Sequence, residues 1–338
     1  MVSKSMLNSL FQKQLTYELE PHPSYTFRDG AWVSSKHGAP SQYSSAVKHP
    51  AIERLCVITW NIDFMTSQPR ARMASALRYL EQLVCKIPRS SAIVINLQEM
   101  MESNNSNKMD ANDLSQIKNA RWIQSHFNLT DVDTSSWDAA YGQLTLVDRR
   151  LAIASVARLR FVSEYLRSAL FVDICLNTKE SSYLRLGNVH LDSSYGSMRP
   201  VQWKALAKHL QNEHEDIGAS ILAGDCNANQ PRDRTAPQDL GFKDAYLEMG
   251  GVEGDESGAT WGFQSLHAQR WGHQRLDKEV FWGDVQVTAL ERIGIGLKVE
   301  DEKAREELEA EEELGFVTDH FGLKGEYTVE AGLMGVLE

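Results

Sequence analysis

Five short polar clusters each close an apolar run: Thr59-Trp60-Asn61-Ile62-Asp63, Asn96-Leu97-Gln98-Glu99, Gly187-Asn188-Val189-His190-Leu191-Asp192, Leu222-Ala223-Gly224-Asp225-Cys226-Asn227 and Thr318-Asp319-His320-Phe321-Gly322-Leu323. Their residue types are those that phosphodiester cleavage requires. A hard divalent cation such as magnesium takes carboxylate and water oxygens and neutralises charge developing on a phosphate; Glu99 and Asp63 are the metal-side carboxylates. A carboxylate must take a proton from the attacking water, and Asp225 is the candidate base. Donors must hold the phosphate oxygens, and Asn61, Asn227, His190 and His320 are the candidates. Asp319 directly precedes His320, so any part it plays in orienting that ring has to come from the fold. Each cluster alone has an everyday explanation: Gly224-Asp225 as a turn, Asp319-His320 as a cap or surface pair, His190 as a hydrogen-bonded core histidine, Asn61 as a strand end. The occurrence of all five in one order on one chain carries the reading.

Active sites sit where strands end, because strands fix the backbone and loops leave room for substrate. Strand-like runs cover 55–60, 92–97, 143–147, 151–156, 170–176, 183–191, 220–223, 280–290 and 323–329, with a hairpin turn at 180–182. Met73, Ala76, Leu77, Leu80, Leu83, Val84 and Ile87 recur at helical spacing, with Pro69 in the first turn and Pro88 at the end. Leu114, Ile117, Ile123 and Phe127 mark a second helix, and 201–214 a third. Helices separated by hairpin-like strand groups indicate an α+β fold: a four-layer sandwich of two packed, mainly antiparallel β-sheets flanked by helices. Residues 20–50 carry Pro, Gly and Ser without apolar periodicity. Residues 1–50 are therefore read as an irregular N-terminal arm and 51–338 as a single catalytic domain. The acidic run 301–313 reads as a solvated helix or loop insertion.

The 338 residues are 42% hydrophobic and 24% charged, an ordinary globular balance that can bury a large core. The net charge of -11 is opposite to that of proteins that coat nucleic acid. A nucleic-acid substrate would need a local basic cleft, which suits the gripping of a strand end. Cys56, Cys85, Cys175 and Cys226 form no C-x-x-C pair and sit in apolar or strand-like contexts, which argues against a zinc knuckle and favours a reducing compartment. Residues 1–15 are broken by Lys4, Gln12, Lys13 and Gln14, so they lack a signal-peptide core, and no run of about 18 apolar residues spans a membrane. The expectation is a monomer that does not span membranes and is intracellular, nuclear or cytoplasmic.

The ordered series resembles the endonuclease/exonuclease/phosphatase superfamily and, within it, the 5′-tyrosyl-DNA phosphodiesterases. The opening Thr-Trp-Asn-Ile-Asp is Thr59 to Asp63, Gln-Glu is Gln98-Glu99, and His-Leu-Glu-Ser is His190-Leu191-Asp192-Ser193. A following Arg and Gln match Arg199 and Gln202; Gly-Asp-x-Asn is Gly224 to Asn227, and the substrate-side Thr-Trp is Thr260-Trp261. Arg-x-Asp before a strand is Arg275-Leu276-Asp277, and Ser-Asp-His-Trp-Gly-Leu appears as Thr318 to Leu323. The likeness spans about 55–328. Phe64 replaces the family's Gly, Phe321 its Trp, and the loop 228–233 its shorter Leu-Arg-Asp. The resemblance implies Glu99 as the ligand of Mg2+, for which Mn2+ may substitute, with Asp63 and Asn61 nearby. It implies Asp225 as the activator of water for in-line attack, Asn227 as its partner and His190 on a phosphate oxygen. It implies His320 as stabiliser of the transition state with Asp319 orienting it, and Asp277 supporting that histidine region or the core. Trp261 offers either a flat face for a terminal base or a core tryptophan, while Arg232, Arg234 and Arg270 are phosphate clamps or solvated surface; Arg199 and Arg275 join the substrate-side set. The implied partner is a nucleic-acid end, 5′-tyrosyl-linked DNA.

A calcineurin-type metallophosphatase would need two metals held by several His and Asp residues. Here Cys226-Asn227-Ala228 follows Asp225 without a second Asp, and Val189 interrupts Asn188 and His190. The same fold would also serve an enzyme acting on abasic DNA, an RNA 3′ end, a phospholipid or an inositol phosphate, or a silent binding protein.

Overall fold

The computed structural model describes residues 17–35, 52–103, 110–176, 182–212 and 215–333. In the first half the strands are β1 (Glu20–Pro21), β2 (Ser24–Arg28), β3 (Ala31–Ser35), β4 (Ile52–Asn61), β5 (Ser91–Met101), β6 (Phe127–Leu129), β7 (Tyr141–Asp148) and β8 (Ile153–Arg160). They continue with β9 (Ser168–Cys175), β10 (Tyr183–His190), β11 (Ile217–Asp225), β12 (Lys243–Asp244), β13 (Asp277–Gly283), β14 (Val285–Ile293) and β15 (Gly322–Leu333). The helices are α1 (Pro69–Val84), α2 (Asp113–Asn119), α3 (Arg121–His126), α4 (Arg199–Leu210), α5 (Ala236–Asp239), α6 (Ala245–Glu248), α7 (Ala268–Trp271) and α8 (Glu302–Ala310). Among the described residues no helix is long and apolar enough to cross a membrane.

One sheet runs β1, β8, β9, β10, β11, β13, β12; the other runs β14, β15, β4, β5, β7, β6, β2, β3. Every pairing is antiparallel except β4 with β5 and β10 with β11. Period-two alternation builds the layers. Leu55 and Val57 of β4 pack with Val172, Leu186 and Ile221 of the other sheet. The alternate residues Ile58 and Trp60 face Met73, Ala76 and Leu80 of α1. On the far side, Phe171, Val189 and Leu222 pack against Trp203 and Leu206 of α4. The result is the expected α+β sandwich with helices outside two sheets.

Several local expectations change. Residues 20–35 are not irregular: β2 and β3 form a hairpin whose two-residue turn is Asp29-Gly30, at φ 51 and 80. Asp-Gly supplies the two left-handed residues that a type I′ turn demands. The rest of the N-terminal segment, 1–16 and 36–51, and the turn residues 180–181 lie outside the described residues. The helix read over 114–127 splits, because Ala120 is extended (φ -70, ψ 117) and Phe127 joins β6. The run 280–290 is two strands in different sheets. Gly283 makes the crossing at φ 84, where a Cβ would stand 2.2 Å from the Gly218 carbonyl oxygen. The acidic run is helical over α8; the Asp301 side chain accepts from the Ala304 amide (2.9 Å), and Ala304 and Leu308 are buried. Cys85 is exposed at the end of α1, unlike the other three cysteines.

Candidate active site

The two parallel strand pairs deliver the site. The pairing of β4 with β5 ends at Asn61 and Gln98, next to Glu99, and His190 on β10 is registered with Asp225 on β11. Gly224 permits that approach: at φ 158 a Cβ would lie 2.0 Å from the Val189 carbonyl oxygen. Glu99 sits at φ 59, where the register of β5 against β7 shifts, and Asp63 and Asn227 are also left-handed at φ 60 and 48. Such backbones cost about 1–3 kcal/mol each and persist only where surrounding contacts over-determine them. Asp and Asn tolerate the region better than Glu, so Glu99 carries the greater strain.

Asp225 is buried at the centre. Its Oδ2 accepts from Asn61 Nδ2 at 3.0 Å and Asn227 Nδ2 at 3.3 Å, while its Oδ1 accepts from the Asn227 amide at 2.8 Å. His190 Nε2 stands 3.4 Å from Asp225 Oδ2 and 3.5 Å from Glu99 Oε1. Arg167 Nη1 lies 2.6 Å from His190 Nδ1. A guanidinium only donates, so Nδ1 accepts and the proton of the neutral ring is on Nε2. That buried Nε2 has no hydrogen-bond partner among the described residues. Across the cleft, His320 Nδ1 is 2.8 Å from Asp277 Oδ2, which also accepts from Thr260 Oγ1 at 2.6 Å. Trp60 donates from Nε1 to the His320 carbonyl oxygen at 3.1 Å, locking the strand start beneath it.

The two histidines are pushed apart. Burial, then Arg167 and His320, lower His190 well below its ordinary value, so it is neutral. Burial also acts to lower His320, but Asp277, Asp319 and Asp225 outweigh it and raise the ring well above its ordinary value, so it is a cation. Titratable groups separated in this way mark distinct chemical roles. Burial raises Asp225, and Asp277 raises it further, while His320 opposes them. Burial, opposed by Arg167 and assisted by Asp63 and Asp225, pushes Glu99 up to about 7 although 13% of its side chain is exposed.

Crowded carboxylates with raised affinity for protons are a donor set that suits a hard divalent cation. Glu99, His190 and Asp225 bring one ligand atom each within 4.8 Å of one another. Because His190 Nε2 carries a proton and the Asp225 oxygens already accept from Asn61 and Asn227, Glu99 is the member of this group that could hold a cation. The second such group, Asp225, Asp277 and His320, is accounted for by the hydrogen bond between His320 and Asp277.

Other expected site residues are placed differently. Asp319 does not orient His320: its Oδ1 is 3.8 Å from Nε2, and its Oδ2 accepts from Trp261 Nε1 at 2.6 Å. The orienting carboxylate is Asp277, because it bonds Nδ1 directly. Burial first, with Asp63, pushes the Asp319 carboxyl up to about 6. Trp261 is half-buried at the rim beside Asp319, neither core nor freely presented. Asp63 spends Oδ1 on the amides of Met65 (2.9 Å) and Thr66 (3.3 Å), and its Oδ2 is 3.9 Å from Arg72. Arg199 is buried, donating to the Asp192 carbonyl (2.7 Å), Asp233 (2.7 Å) and Asn229 (2.8 Å), so it braces the loop after Asn227 and does not face a substrate. Arg232 is exposed over the Tyr195 ring at 4.7 Å, and Arg234 is exposed.

Arg275 is likewise structural: it is buried, donates to both oxygens of Asp244 (2.9 and 2.8 Å) and pairs with Glu253. Arg275→Ala would strand those carboxylates beside buried Lys278. We expect the loss of about 3–5 kcal/mol of stability that follows removal of one partner of a buried pair, measured by urea unfolding. A variant of wild-type stability with a raised KM would instead return Arg275 to the substrate side.

Arg167 and Tyr141 carry no signal in the sequence that marks them as site residues. The Arg167 guanidinium lies 4.9 Å from the Tyr141 ring, which stacks on Phe64 at 4.2 Å. Tyr165-Leu166-Arg167 has no motif spacing; only its place just before β9, beside β10, brings it to His190.

No family model matches the sequence, and no curated protein matches it. The fold does match solved structures. A truncated TDP2 of Caenorhabditis elegans aligns with TM-score 0.61 and 18% identity, covering 82% of this chain and 98% of that one. D. rerio TDP2 complexed with single strand DNA product aligns at TM-score 0.58 and 16% identity, covering 82% and 99%. An endonuclease/exonuclease/phosphatase from Bacteroides vulgatus aligns at TM-score 0.55 and 13% identity, covering 82% and 99%.

Proposed function

We propose that this chain, which has the endonuclease/exonuclease/phosphatase fold, is a magnesium-dependent phosphodiesterase that hydrolyses a 5′-phosphotyrosyl bond at a DNA end. The observation that carries the reading is the Asp225 carboxylate, buried, raised in proton affinity and held by Asn61 and Asn227 between a neutral and a cationic histidine. A bound cation, held by Glu99 with Asp63 beside it, would supply neutralisation of charge on the phosphate; Mn2+ fits the same oxygen donors. Asp225 takes a proton from water and directs it in line at phosphorus. Asn61 and Asn227 fix that carboxylate. His190 donates from Nε2 to a phosphate oxygen. His320 donates as a cation to the charge that grows in the transition state, where preorganised donors act most strongly. Trp261 borders the strand on the Asp319 side, with exposed Arg232 and Arg234 reachable by more distant phosphates. β1 to β3 join residues 51–338 in one catalytic domain, since β1 pairs with β8 and β2 with β6, and the chain acts as a monomer.

The net charge of -11 opposes long-range attraction of a nucleic acid, which favours an enzyme that engages an end. Support for a nucleic-acid end also comes from the D. rerio fold neighbour with its single strand DNA product. The test is a panel with and without Mg2+: a 5′-phosphotyrosyl oligonucleotide, an abasic duplex, an adenylate-tailed RNA and sphingomyelin. The tyrosyl substrate is expected to be cleaved fastest, and only with metal. Preference for RNA, lipid or abasic DNA would overturn the substrate. Metal-independent turnover would overturn the mechanism, and binding without cleavage of any would leave a binding protein.

A further inference from the structure

We infer that Phe64 is a positioning residue that ties the metal-side carboxylate to the phosphate-side histidine, an inference that rests on the hydrolytic reading of this site. Phe64 touches both halves. Its amide donates to Glu99 Oε2 at 3.1 Å. Its ring stacks on Tyr141, with centroids 4.2 Å apart and planes at 26°, and aromatic pairs add attraction beyond burial. Tyr141 in turn holds Arg167, whose guanidinium carbon is 4.9 Å from its centroid.

Arg167 depends on that support. Among the described residues, the one close hydrogen bond of its guanidinium is to His190 Nδ1 at 2.6 Å, its buried Nε has no partner, and Glu99 is 4.0 Å from Nη2. It also lies over the rings of Tyr141 and, at 5.7 Å, Tyr165. A cation–π contact is strongest when desolvated, and this guanidinium is buried. Through Arg167 the stack sets which nitrogen of His190 carries the proton, and so which nitrogen faces Glu99 and Asp225.

The two links separate experimentally, since Phe64→Ala removes the ring and keeps the amide. On the substrate cleaved by the wild type, Phe64→Ala is expected to lower kcat by about 10–100-fold, the scale of a misplaced catalytic group. KM and the Mg2+ Kd measured by calorimetry should stay within about 3-fold, the pattern of an interaction lost only in the transition state. Phe64→Tyr, which keeps a ring, should restore the rate, and Phe64→Leu should not. The double variant Phe64→Ala with Arg167→Ala should be no slower than Arg167→Ala alone, because residues acting through one chain of contacts are not additive. Additive losses, or a Leu variant at the wild-type rate, would overturn the role. One arm does not depend on turnover: the ring nitrogen signals of His190 should report a proton on Nε2 in the wild type and a mixture in Phe64→Ala. If the wild type cleaves none of the panel, the functional reading falls, and unchanged His190 signals in Phe64→Ala would then sink the positioning role separately.

Discussion

Asp225→Asn is expected to lower kcat by about 10²–10⁴-fold, the range supplied by a positioned general base, while KM moves little. The amide is nearly isosteric; its one oxygen, placed where Oδ2 stands, can still accept from Asn61 Nδ2 and Asn227 Nδ2, now at 3.0 and 3.3 Å, and only the bond from the Asn227 amide to Oδ1 is lost. The fold should therefore persist. Stability adds a second, independent readout. Burial, and then Asp277, raise the proton affinity of this carboxyl in the folded chain. An acid raised on folding destabilises the folded state progressively as pH rises from its unfolded value, near 3.9, through its higher folded value, because the charged form is then the one being buried. Removing that charge should leave Tm at pH 7 unchanged or higher. Low activity with retained or increased Tm is the signature of a base whose placement works against stability. Activity within about tenfold of wild type would place the base elsewhere, since even the low end of general-base catalysis exceeds that.

Asp277→Asn should alter the pH–rate profile more than the rate at its optimum. Asp277 is the largest of the groups that hold His320 charged, overcoming the burial that would neutralise it. A histidine raised on folding contributes stability that is fully present below its unfolded value, about 6.5, and is lost as pH rises through the folded value. The same titration removes the cation from the transition state. In the wild type the alkaline limb of kcat should therefore lie above pH 6.5, and in Asp277→Asn it should move down towards it. The variant should lose more activity at about pH 8 than at about pH 6. His320→Ala should remove the dependence with a drop of about 10²–10³-fold, the cost of one lost transition-state donor. If Asp277→Asn lowered the rate equally at every pH, Asp277 would be bracing Thr260 and the strand start, and His320 would owe its charge to Asp319.

The chemistry-bearing residues were legible because their types are restricted and their order along the chain is unusual: Asn61, Glu99, His190, Asp225, Asn227 and His320 all meet in one cleft. The alternation in Leu55 to Trp60 likewise dictated a strand with two buried faces, one on the opposite sheet and one on α1. Periodicity is a local property of the chain, so it survives without a structure. What only the tertiary structure decided was pairing. Arg199, Arg232, Arg234 and Arg275 are equivalent as letters, yet two are consumed in buried ion pairs and two are exposed. Asp319 and Asp277 were both available to orient His320, and the pairing of β13 with β11 gives that position to Asp277, opposite Asp225 in the register. Arg167, with no motif around it, reaches His190 through the pairing of β9 with β10. Residue type and spacing thus determined which side chains could do chemistry and the fold that carries them. The protonation of its two histidines was decided by neighbours from distant parts of the chain, since burial and charge at a few ångströms set proton affinity.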